Sequence, residues 1–212
     1  MLREKENQVL SDRARQVSRR SPHRSFIGLS WHNVFISATG HYINATCEYV
    51  SDHAYFFVDN RDIAAMGPHL ASYGAAFDAL YETNHNKFGT ENDVDNNGKV
   101  VIIFSEELTG GLTRYFSSVD EYPKAAYAAS NEGDILYITT NAVYQGDGVN
   151  RTLAHEFQHM IYFDQHYNRG VTSTYTWLNE ALSQAAEYYT GYTGSHLDWI
   201  AYFLIIIGWG SR

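Results

Sequence analysis

Two histidines stand four residues apart in Thr152-Leu153-Ala154-His155-Glu156-Phe157-Gln158-His159-Met160, with a glutamate directly after the first. On a helix, positions i and i+4 share a face one turn apart, so His155 and His159 can aim two imidazoles at one metal ion. Glu156 is then the carboxylate that could take a proton from a water activated by that ion. The chemistry implied is metal-assisted hydrolysis. The H-E-x-x-H order fixes only three positions, and ten histidines in 212 residues raise the odds of a chance match. A third ligand therefore has to decide.

The three-histidine metzincin spacing needs glycine at position 162 and histidine at 165. The chain has Tyr162 and Gln165 there, and His166 stands one residue out of register. The same register excludes Asp164. The remaining option is a glutamate on the following helix. Glu180 lies 21 residues after His159, within Trp177-Leu178-Asn179-Glu180-Ala181. That distance lets one helix finish, turn, and a second helix bring its carboxylate back. Two histidines and one carboxylate leave the fourth tetrahedral position open, the arrangement of a catalytic zinc.

His155-Glu156-Phe157-Gln158-His159 followed by Trp177-Leu178-Asn179-Glu180 resembles the gluzincin group of zinc metallopeptidases, and within it the hyicolysin-like bacterial neutral metalloproteases. Weaker echoes are Val58-Asp59-Asn60, residues 93–100 and Asn131-Glu132-Gly133-Asp134-Ile135-Leu136-Tyr137-Ile138, and the likeness covers roughly residues 42–195. The resemblance implies zinc held by His155, His159 and Glu180, with Glu156 as general base. It also implies a peptide or protein substrate, endopeptidase activity and a secreted, extracellular bacterial enzyme. Two alternatives stay open: a truncated, inactive zinc-binding remnant of such a protease, and an aminopeptidase.

Around the metal ligands, Glu187 lies two turns beyond Glu180 on the same helix face. It reads first as an exposed charge, with orientation of a ligand histidine as the alternative. Ser183 and Gln184 share that side. Tyr175, Tyr188, Tyr189 and His166 are within reach as oxyanion stabilisers, and nothing in the letters ranks them. The strand at residues 135–139 could pair with an extended substrate or be an ordinary central strand.

Positioning these groups calls for an α+β fold of the zincin-like kind. A twisted, mainly antiparallel sheet is expected from about residue 26 to 140, with one long helix packed on it, then the H-E-x-x-H helix and the Glu180 helix. Strand-like patterns fill residues 26–60, and a buried apolar strand follows at 100–104. Ile63, Met66, Leu70, Tyr73, Phe77, Leu80, Tyr81 and Phe88 recur at helical spacing, with Pro68 in the first turn and Gly89 at the end. Residues 105–132 read as irregular. Asn150 is the expected N-cap of the metal helix. Leu153, Phe157, Met160 and Ile161 form the apolar stripe beside its histidines.

Asp93-Val94-Asp95-Asn96-Asn97-Gly98 has the alternating oxygen order of a calcium loop, with Asp93, Asp95 and Asn97 as ligands. The acidic twelfth position is Phe104 instead, so the plainer reading is an Asn-Gly turn into a strand.

Residues 1–25 hold seven of the 15 Lys and Arg and three of the 24 acids, a basic tail without regular structure. The other residues carry 21 acids and eight basic residues, which excludes a general nucleic-acid binder. Cys47 is the single cysteine, so no disulfide closes within the chain. No signal peptide is visible in the first residues, and the most apolar run is too short to span a bilayer. The catalytic domain is assigned to residues 26–195. Residues 196–212 read as an apolar C-terminal helix or as a truncated second subdomain.

Overall fold

The computed structural model describes residues 26–108, 114–141, 147–171 and 175–192. The basic tail at 1–25 and the apolar stretch at 196–212 lie outside them.

The centre of the molecule is a six-stranded sheet in the order β1-β2-β3-β4-β6-β5. Its strands are β1 (Ser30–Ile36), β2 (His41–Val50), β3 (Ala54–Asp59), β4 (Val100–Phe104), β5 (Arg114–Phe116) and β6 (Ile135–Ile138). The first three form an antiparallel meander, with register shifts at Trp31/Val34 and Cys47/Tyr49 that bend its outer strands. β3, β4 and β6 then run parallel, and β5 closes the far edge antiparallel to β6. The expectation of a mainly antiparallel sheet holds for both flanks and fails in the middle. The cause is helix α1 (Leu70–Phe88), which carries the chain back across the sheet so that β4 starts beside the start of β3. The three parallel strands are buried along their whole length, as strands covered on both faces must be.

Alternate residues of these strands feed two cores. Phe56, Val58, Ile102, Phe104, Leu136 and Ile138 pack under α1 and under helix α2 (Gly148–Asn168). Phe57, Val101, Ile103, Ile135 and Tyr137 face the other way, with Val34, Ile36, Ile43, Ala45 and Cys47 of the curled outer strands. Burial pushes the Cys47 thiol up to about 11.

The expected helix over 62–88 is interrupted. A single helical turn at Ile63–Met66 passes into a 3-10 turn at Gly67–His69, and only then does α1 begin. Pro68 has no N–H to donate and its ring crowds the preceding turn, so continuous α-helix stops there. Gly89 ends α1 as expected, at φ +102°, with its N–H on the His85 carbonyl. Gly74 lets α1 lie against β2, because a Cβ there would sit 2.5 Å from the Tyr49 ring. On its other side α1 meets α2 through Phe77 and Tyr81, whose rings lie 5.4 and 5.2 Å from Phe157. Asn84 adds a hydrogen bond from Nδ2 to the Ala154 carbonyl at 3.1 Å.

The segment read as irregular contains β5 and a 3-10 turn at Ser118–Glu121. One buried group organises its second half. The Asp120 carboxylate accepts from the Asn131 N–H and from the Tyr137 hydroxyl, each at 2.7 Å. The Asn131 amide then bridges the N–H and carbonyl of Phe35 on β1. Burial pushes Asp120 up to about 6, against these donors, which favour its charged form. Tyr137→Phe removes a donor from a buried carboxylate and is expected to cost roughly 1–3 kcal/mol of stability. Asp120 would titrate higher still in the folded variant, so the loss grows as pH rises through about 6. Urea denaturation of both proteins at pH 5 and pH 8 measures it.

Candidate metal centre

Helix α2 begins at Gly148, with Asp147 at the N-cap position and Asn150 already inside the first turn. The expected cap at Asn150 is thus three residues late. Leu153, Phe157, Met160 and Ile161 are fully buried in the core under the sheet, as the apolar stripe predicts. That packing fixes the rotation of the helix and turns His155 and His159 toward helix α3 (Thr176–Tyr189). Along α3, Ser183, Ala186 and Glu187 are buried against α2, while Glu180 is half exposed.

The ligand atoms of His155, His159 and Glu180 lie within 4.8 Å of one another. His155 Nε2 is 3.5 Å from one Glu180 oxygen, and His159 Nε2 is 3.6 Å from the other. The opposite nitrogens are engaged from behind. His155 Nδ1 donates to Glu187 Oε1 at 2.7 Å. His159 Nδ1 faces Asn179 Oδ1 and the Ser183 hydroxyl, both at 3.0 Å. An ionised carboxylate can only accept, so the Glu187 contact puts the His155 proton on Nδ1 and leaves the Nε2 lone pair toward Glu180. Ser183 has acceptors at Gln158 Oε1 and the Asn179 carbonyl, so it too can accept from His159.

This donor set fits zinc. Two ligands each about 2.1 Å from a tetrahedral zinc stand about 3.4 Å apart, close to the separations found here. Two imidazoles and a carboxylate, each imidazole tied at its other nitrogen, is also the donor chemistry that zinc takes.

Glu156 is buried and faces β5. Its Oε1 lies 3.2 Å from Arg114 Nε, and its Oε2 accepts from the Phe116 N–H at 3.1 Å. Arg114 also donates to the Thr152 hydroxyl on α2 at 3.0 Å. β5 is therefore the sheet edge beside the site. Residues 135–139, considered for substrate pairing, include β6, which is enclosed between β4 and β5.

Glu187 is buried rather than an exposed charge, with Arg151 Nε 3.9 Å away. Asp164 tethers the chain at Asn92, accepting from its N–H and its side-chain amide at 2.8 and 2.7 Å. His166 turns back onto the Tyr162 carbonyl, and Tyr189 lies under the Lys87 ammonium. Among the described residues, no hydrogen bond joins Tyr175, Tyr188, Tyr189 or His166 to Glu156, Glu180 or the two histidines. Sequence reasoning missed Arg114, Phe116 and the roles of Asn179 and Ser183. Asn179 had a signal, since it directly precedes Glu180, whereas Arg114 reaches the site only through tertiary structure.

The fold and the cluster together describe an α+β protein in which two histidines and one carboxylate, on paired helices, could hold a metal ion. Over 117 residues, covering 48% of this chain and 26% of the relative, the sequence is 33% identical to "Neutral metalloprotease ShpI" of Staphylococcus hyicus. The chain thus spans about a quarter of the length of that curated relative. The similarity supports a relationship to metalloproteases without defining a narrower group. No family model matches the chain.

Removing the carboxylate behind His155 frees its ring to turn and leaves its tautomer unfixed. Glu187→Ala is expected to weaken zinc binding by about 10–100-fold. Competition with a chelating dye measures the change, and near-ultraviolet circular dichroism reports whether the fold persists.

Proposed function

We propose that this protein hydrolyses peptide bonds as a zinc-dependent endopeptidase, with His155, His159 and Glu180 as metal ligands and Glu156 as general base. The observation that carries the reading is the convergence of the two Nε2 atoms on the Glu180 carboxylate, with both Nδ1 atoms held from behind. Similarity to a neutral metalloprotease supports the reaction class. A zinc ion bound there would polarise the scissile carbonyl and acidify the attacking water.

The residues then have separate tasks. Glu156 receives the proton of the attacking water and returns it to the leaving nitrogen. Arg114 and the Phe116 N–H hold that carboxylate in place at the edge of the sheet. Among the described residues β5 pairs with β6 alone, so an extended peptide has a main-chain edge beside the base on which to align. Residues 26–195 form the catalytic region in this reading. The resemblance in sequence supports work outside the cell, and among the described residues no helix is long and apolar enough to cross a membrane.

Casein or a quenched peptide, supplied with the zinc-loaded chain, tests the proposal. Glu156→Gln should retain zinc and lose about 10²–10⁴-fold in kcat, the usual contribution of a general base. Hydrolysis that survives this substitution would sink the assigned role. Stoichiometric zinc without turnover would identify a non-catalytic remnant. A requirement for a free N-terminus would identify an aminopeptidase.

A further inference from the structure

Three aspartates, remote from the histidine centre in sequence, meet where the parallel strands β4 and β6 begin. Asp93 and Asp95 lie in the turn before β4, and Asp134 directly precedes β6. One oxygen from each lies within 4.8 Å of the others. We propose that Asp93, Asp95 and Asp134 form a second cation site that takes calcium. This inference is independent of the peptidase reading.

Turn geometry explains part of the cluster and leaves the rest over. Asp95 accepts from the Asn97 N–H at 3.0 Å and from the Asn97 amide at 2.6 Å. Asp93 accepts from the Gly98 N–H at 3.2 Å. These are local turn bonds. Asp134 is not part of the turn. The pairing of β4 with β6 brings it there, its own carbonyl accepting from the Val101 N–H at 3.0 Å. It is 2% exposed, and its Oδ1 has no hydrogen-bond partner. A buried carboxylate oxygen without a partner, facing two more carboxylates, lacks its counter-charge. The lysine in the turn does not supply it. Lys99 donates instead to the carbonyls of Ser51, at 2.8 Å, and Asp52.

The donor set selects the ion. All three groups offer carboxylate oxygen, with no nitrogen or sulfur among them, which suits a hard cation rather than zinc. Oxygens about 2.4 Å from one calcium stand at most about 4.8 Å apart, so one calcium can span the three. Magnesium takes shorter bonds, keeps several waters and is usually held by only one or two carboxylates, so three carboxylates together favour calcium. The third ligand differs from the one that the D-x-D-x-N order suggests. Asn97 uses its amide on Asp95, and its Oδ1 accepts from the Lys99 N–H at 2.8 Å, so Asp134 takes its place.

The test uses the full chain, stripped of calcium and carrying one equivalent of zinc. The protein's tyrosines are excited and terbium emission is read. Terbium luminescence should appear and be displaced by calcium, and calcium should raise Tm. Asp134→Asn should fold in calcium-free buffer with a Tm at or above the parent's. It should lose the calcium-dependent rise, with affinity at least about tenfold weaker. Asp93→Asn should also lose the rise, on a residue far less buried. A parent protein whose Tm ignores calcium overturns the proposal, as does an Asp134→Asn variant that keeps the full rise. Neither readout involves hydrolysis, so failure here and failure of the peptidase reading are distinguishable.

Discussion

The hydrogen bond from His155 Nδ1 to Glu187 is the interaction on which the centre depends. It joins two buried groups on different helices at 2.7 Å, and it sets both ring orientation and proton position. A carboxylate buried there needs a donor or a counter-charge; the imidazole donates to it, and the Arg151 guanidinium stands 3.9 Å away. The two helices are thereby committed to one relative placement. The pairing of His159 with Asn179 and Ser183 repeats the arrangement one turn on. Glu180 needs no separate device, because it rides on the helix that these contacts fix.

Behind the paired helices stands a sheet with little freedom to move. Its middle strands are covered on both faces, and α2 packs into the same core as α1. The rotation of α2 about its own axis, which decides where the histidines point, is set by Leu153, Phe157, Met160 and Ile161 burying together. Displacing that stripe would need apolar surface to return to water, at about 25 cal/mol per Å². Stability and ligand geometry therefore come from the same side chains.

The parts legible from the letters are those with a local period. Helical spacing puts His155 and His159 on one face with Glu156 next to the first, and the return distance to Glu180 allows it to join them. Features that depend on what packs opposite were harder to read. Glu187 has the composition of a surface charge, and only the facing His155 makes it a buried partner. β5 has three residues, too few for alternation to register. A fully apolar strand such as Val100–Phe104 does not disclose its direction, so the parallel centre of the sheet was missed. Asp134 joins Asp93 and Asp95 through strand pairing across 39 residues, a distance at which no motif operates.

The bond from the Phe116 N–H ties a point on the sheet's edge to the Glu156 carboxylate, the proposed proton acceptor. β5 is thus both a ruler and a mount. A chain laid along it is measured in steps of about 3.4 Å, while the carboxylate keeps station at one mark. Moving the peptide by one residue would present a neighbouring bond to the same mark with its side chains turned over. Under the proposed peptidase reading, cleavage position becomes a matter of indexing: whatever grips the peptide along the edge decides which bond meets Glu156.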